Sequence, residues 1–185
     1  MTASKKYFLT ALILYITACY TQPAQNNEFK NFAGIKASNI SGYGLYYSRN
    51  ICDNYRLQVM GLAYYYEYTK EAESETIFNY DLGLEAQRNI YISENSRTYI
   101  LFGGYYYYDD DTDKNIDEVN SVNNSYNIGI GLGFEFEYKR IVYNLDIGYK
   151  FFEDNIDTYI NGDFSYDELK RVTKLGAGVG IGFKF

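Results

Sequence analysis

The chain has 185 residues, with 24 Tyr, 12 Phe and 16 Gly, but one Pro, no Trp and no His. That length suits a single domain, and the missing His removes Ser-His-Asp and Cys-His nucleophile systems, His general bases and His-rich metal sites. A formal charge of −7 argues against nucleic-acid binding, which needs a basic face against the phosphates.

In chain order, Lys5 and Lys6 come first, followed by an uncharged, mostly apolar run from Tyr7 to Ala18. Twelve residues are too few for a transmembrane helix, which takes about 20. A basic start, a short apolar centre and small residues after it predict a secretory signal peptide over 1–24, leaving 25–185 as the mature domain. Within the leader, Ile16-Thr17-Ala18-Cys19 resembles a bacterial lipobox and makes Cys19 a lipidation candidate, although Tyr15 and Ile16 stand where Leu is usual. Ordinary cleavage between Ala18 and Asn26 is the competing expectation. Cys52, beside Asp53, then reads as an incidental thiol.

Beyond the leader the chain counts in twos, the period of a strand with one apolar face. Phe32 to Ser38 and Tyr43 to Arg49 are short strands separated by Asn39-Ile40-Ser41-Gly42, or one long bent strand. Tyr55 to Tyr68 puts Leu57, Val59, Gly61, Ala63 and Tyr65 on one face, with Arg56 and Gln58 opening the other. Phe78, Tyr80, Leu82, Leu84 and Ala86 alternate with Asn79, Asp81, Gly83, Glu85 and Gln87. Thr98 to Tyr108 is apolar on both faces and shows no register. The pattern is then clearest. Tyr126 to Tyr138 sets Ile128, Ile130, Leu132, Phe134 and Phe136 against Gly129, Gly131, Gly133, Glu135 and Glu137. Ile141 to Phe152 follows, and Arg171 to Phe185 sets Leu175, Ala177, Val179, Ile181, Phe183 and Phe185 against Lys174, four glycines and Lys184.

Connections alternate in length. Asn50 to Asn54, Ser93 to Ser96 and Lys139-Arg140 are tight, whereas Thr69 to Glu75, Asp109 to Ser121 and Glu153 to Lys170 read as longer, mostly acidic loops. Short turns on one rim and longer loops on the other predict an all-β, up-and-down antiparallel transmembrane barrel, with eight strands preferred over ten. Alternation alone does not say which way the apolar face looks, and a soluble lipocalin-like barrel would turn it inward around a hydrophobic ligand. Polar faces rich in Gly, Tyr clusters near strand ends (Tyr64 to Tyr66, Tyr105 to Tyr108, Tyr143, Tyr149) and a final aromatic strand favour lipid outside.

The ending Val179-Gly180-Ile181-Gly182-Phe183-Lys184-Phe185 resembles the C-terminal signature of bacterial outer-membrane proteins. In that signature a final Phe follows alternating apolar residues, here Val179, Ile181, Phe183 and Phe185, and is read by the barrel-assembly machinery. Together with the leader and strand plan, the mature chain resembles the small OmpA/OmpX-type outer-membrane β-barrel family. The resemblance implies a monomer in outer-membrane lipid, exported through the leader and assembled by that machinery.

Three candidate sites follow. Asp109, Asp110, Asp111, Asp113, Asp117 and Glu118 crowd one loop, and three of them fit EF-hand positions 1, 3 and 5. Lys114 occupies the required Gly position and Asn120 the closing Glu position, so no metal site is expected. Glu135, Glu137, Asp146, Lys150, Lys174 and Lys184 fall on the inward register of three consecutive strands and are expected to form a lumen charge network, since buried charges must pair or stay wet. A gated ion path is the alternative for the same residues. Finally, Glu135 and Glu137 share a face with no nucleophile or oxyanion hole, so neither catalysis nor a cofactor is expected. The reading is a structural or surface-interaction barrel with a narrow, plugged lumen, meeting any extracellular ligand through its loops.

Overall fold

The computed structural model describes residues 29–70, 73–114 and 118–185. The leader over 1–24, with Cys19, and Asp117 lie outside the described residues. Eight antiparallel strands, each paired with its sequence neighbours and the last with the first, close a barrel. They are β1 (Asn31–Ser38), β2 (Gly42–Cys52), β3 (Tyr55–Lys70), β4 (Glu73–Ile92), β5 (Ser96–Lys114), β6 (Glu118–Tyr138), β7 (Ile141–Ile160) and β8 (Asp163–Lys184). Closure is sealed by β1 against β8, with Phe32 opposite Lys184 and Ser38 opposite Gly178.

Alternation sorts the side chains as lipid and water would. Outward on β6 stand Tyr126, Ile128, Ile130, Leu132, Phe134, Phe136 and Tyr138, all 45–59% exposed. At about 3.3 Å per residue and a tilt near 40°, that run covers roughly 30 Å along the axis, the thickness of a bilayer core. Phe78, Tyr80, Tyr106, Tyr108 and Tyr126 touch ring to ring on the outer surface at centroid separations of 5.0–6.2 Å, part of an aromatic girdle. Inward stand Lys36, Arg56, Glu85, Arg97, Glu135 and Asp146, each buried. The inward apolar face required by a lipocalin-like barrel is therefore absent; among the described residues only two small apolar clusters lie inside.

The acidic loops are a correction. Residues 109–114 are strand, paired with 118–123, and 153–160 pair with 163–171. Long connections become hairpin extensions closed by tight turns: Asn161 and Gly162 take φ of 52° and 83° between Ile160 and Asp163, the left-handed pair that an Asn-Gly hairpin turn requires. Alternation fades in these extensions because both faces meet water, yet the backbone ladder continues.

The first hairpin is the exception to the wall. β2 pairs with β3 only as far as Leu45 opposite Gly61, and at Gly44 (φ 125°) its end swings away from β3. The turn, 39–41, leans into the lumen, where Ser38, Ile40 and Ser41 are fully buried. Above it, among the described residues, six strands carry the wall. β3 beyond Gly61 and β8 before Ala177 have no paired strand on the sides that face one another.

Candidate functional site: a plugged lumen with a vestibule on each side

Wall glycines form the socket of the plug. A β-carbon on Gly83 of β4 would lie 2.1 Å from the Ser41 carbonyl oxygen, and one on Gly129 of β6 would lie 2.4 Å from Ile40 Cγ2. Gly103 and Gly176 crowd Ser41 and Ile40 in the same way, so the turn is gripped from β4, β5, β6 and β8. Polar anchors fix its height. Asn39 N–H donates to the Ala177 carbonyl (3.2 Å), Ala177 N–H donates to Asn39 Oδ1 (2.8 Å), and Tyr43 N–H donates to Asp81 Oδ1 (3.1 Å). Ile40 packs on Tyr99 and Leu101. That contact explains why β5 reads as apolar on both faces: its inward Tyr99 and Leu101 cover the Ile40 side chain, which β6 and β8 meet with glycines instead.

Below the plug lies a chain of charges. Lys36 of β1 bridges Glu85 (2.8 Å) and Asp146 (2.6 Å), and the Tyr99 hydroxyl donates to Asp146 (2.7 Å). Gln87 donates to Glu85 (2.5 Å) and accepts from Arg97. Arg97 and Arg56 both hold Glu135 at 2.7 Å. The acids and bases come from β1, β3, β4, β5, β6 and β7, and because each buried charge faces an opposite one, they tolerate burial.

The six charges expected in the lumen therefore separate. Glu135 and Asp146 are central, but their partners are Arg56, Arg97 and Lys36, not the lysines of β7 and β8. Glu137 and Lys184 pair with each other near the rim of short turns. Lys150 is half-buried, and Lys174, opposite it in register, is exposed. Neither lies within ion-pair distance of a carboxylate among the described residues. Lys36, Arg56, Glu85 and Arg97 were not expected in the network. Their sequence signal is present, since each falls on the inward register of its strand, but it needs the whole ring to be seen. Val179, Ile181, Phe183 and Phe185 line up on the outer face at the end of β8, all exposed.

Plug and network leave two blind vestibules. The lower one, about 200 Å³ with a largely polar lining, lies among Phe32, Asn50, Arg56, Arg97, Glu137 and Lys184. The upper one, about 340 Å³, is walled by Tyr43, Tyr105, Tyr107, Phe152, Lys150 and Asp154, with Ser125 and Asn127 on β6. Among the described residues no cluster of metal-ligating side chains occurs.

With polar side chains inside, an apolar belt outside and short turns along one rim, the architecture is that of a small up-and-down transmembrane-type β-barrel. Two solved structures are similar in fold: a major outer membrane protein from Thermus thermophilus (11% identity, TM-score 0.48, 84% of this chain and 98% of that one) and CarO of Acinetobacter baumannii (12% identity, TM-score 0.43, 87% of this chain and 100% of that one). No family model and no curated protein sequence matches the chain.

Proposed function

We infer that the chain is an integral protein of a bacterial outer membrane, exported through its leader, inserted as a monomer, and acting as a structural and surface-interaction barrel rather than as a diffusion pore or an enzyme. The observation that carries this reading is the polarity of the wall: lipid-length apolar alternation outside, with a lumen filled by a turn and by paired charges. Eight strands leave an interior just wide enough for side chains, and here a hairpin occupies the remaining space. The upper hairpins, with Asp109, Asp110, Asp154 and Asp157 on paired strands, would offer the surroundings a stiff acidic surface.

A denaturing gel of outer-membrane fractions, run with and without boiling, tests the placement. The wild-type barrel is expected there, with a heat-dependent change in mobility. Ile130→Arg puts a guanidinium at mid-belt and should impair insertion by about 2–4 kcal/mol, whereas Leu169→Arg, on the water-exposed part of β8, should insert as wild type. Release of the wild-type protein in soluble periplasmic extract, without a mobility shift, would overturn the reading.

A further inference from the structure

The upper vestibule holds polar groups that the fold does not use. Asn127 is only 4% exposed, lines the vestibule wall, and its Oδ1 has no hydrogen-bond partner among the described residues. A buried acceptor left without a donor carries the full desolvation penalty of its burial, and a ligand hydroxyl would supply that donor. Lys150 and Lys174 stand directly opposite on β7 and β8, with their Nζ atoms 4.5 and 5.2 Å from the centre of the same ring, Phe152. Like charges across a ladder repel, and the hydrogen bond that Lys150 makes is a long one to the Tyr105 hydroxyl (3.4 Å). An anion between the two ammonium groups removes the repulsion. The rest of the wall is mostly aromatic, with Tyr43 meeting Tyr105 edge to face at 6.0 Å and Tyr107 and Phe152 beside them. It includes one carboxylate, Asp154, which accepts from the Ser125 hydroxyl and so is already engaged on β6. A volume of about 340 Å³ falls at the small end of the roughly 300–1,000 Å³ range of small-molecule sites, enough for one ring.

We propose that this vestibule is a binding site for an anionic monosaccharide, a single sugar ring bearing a carboxylate or phosphate. Lys150 in the wall holds the anion, with Lys174 reaching it from its exposed position opposite on β8, Asn127 accepts from a ring hydroxyl, and the aromatic side chains pack on the C–H face of the ring. Because Tyr43 follows directly on the plug turn, a ligand resting on it ties that turn to β5, β6 and β7. Access from outside the cell rests on the membrane placement proposed above; binding itself does not.

The test is calorimetric titration of the detergent-folded full chain with glucuronate, glucose 6-phosphate, glucose, inorganic phosphate and glycine, with a heat-modifiability gel run on each sample. At least one of the two sugar anions should bind saturably, and whichever is tighter identifies the carboxylate or the phosphate source. Glucose and inorganic phosphate alone should each bind at least ten-fold more weakly. Lys174→Gln, at an exposed side chain, and Asn127→Ala should each weaken the sugar anion about ten-fold while keeping the mobility shift. The proposal is overturned by no saturable binding of either sugar anion at a dissociation constant of about 1 mM or tighter, by phosphate or glycine binding as well as they do, or by unchanged affinity in both variants. A wild-type chain without the mobility shift would instead count against the outer-membrane reading, so the two failures are distinguishable.

Discussion

The two halves of the barrel follow different rules. In the lower half eight strands close the ring, outward residues are apolar, inward residues are charged and paired, and turns are tight. In the upper half six strands continue, the extended parts of β7 and β8 are exposed or half-exposed along most of their length, and ion pairs lie in water, as with Arg171 and Glu153 (2.6 Å). Both halves have the same backbone ladder. What differs is what its two sides present: an exposed apolar belt against a sealed polar lumen below, and exposed or half-exposed side chains on both faces above. Alternation records the difference between the two sides of a strand, so it weakens where that difference ends although the strand goes on.

The largest break in this comparison is expected at Glu135. Its side chain is 2% exposed and holds both Arg56 and Arg97. Glu135→Ala leaves two guanidinium groups facing each other in the sealed half, and removing one member of a buried pair costs about 3–5 kcal/mol. The midpoint of urea unfolding in lipid vesicles should fall accordingly; an unchanged midpoint would mean that water reaches these charges. A smaller effect is expected at the boundary. Gly83→Val drives a side chain into the Ser41 carbonyl, and overpacking of this kind costs about 1–3 kcal/mol, read as a lower temperature for the gel mobility shift. The smallest belongs to the wet half. Arg171 and Glu153 have side chains 71% and 43% exposed, so Glu153→Gln should shift stability by no more than about 0.5 kcal/mol, and less in high salt. A loss as large as that at Glu135 would show that the upper hairpins are not solvated as described.

The bounds of the sealed half were legible in the sequence because each of its strands separates two unlike media. The upper strands were read as loops because acidic residues replaced the alternation, although Asn161-Gly162 carries a hairpin signal of its own. The network was half legible. Glu135 and Asp146 lie on strands with clean alternation, whereas Arg97 sits at the head of β5, whose register the plug contact conceals, and Lys36 sits on a strand of eight residues. Lys150 and Lys174 share the inward register of Asp146, but parity gives a side chain's direction and not its height. Their level above the plug was set by the stagger of the barrel.

By itself, then, the sequence determined most strands of the sealed half and which of their residues share a face, because period-two hydropathy is a local property. β5 kept no readable register, and the facing came from glycine and tyrosine placement rather than from alternation. Only the tertiary structure decided how the charges pair across the lumen, where the first hairpin turns inward, and which glycines make room for it. Those depend on residues from six different strands arriving at one height, and only closure of the ring sets that height.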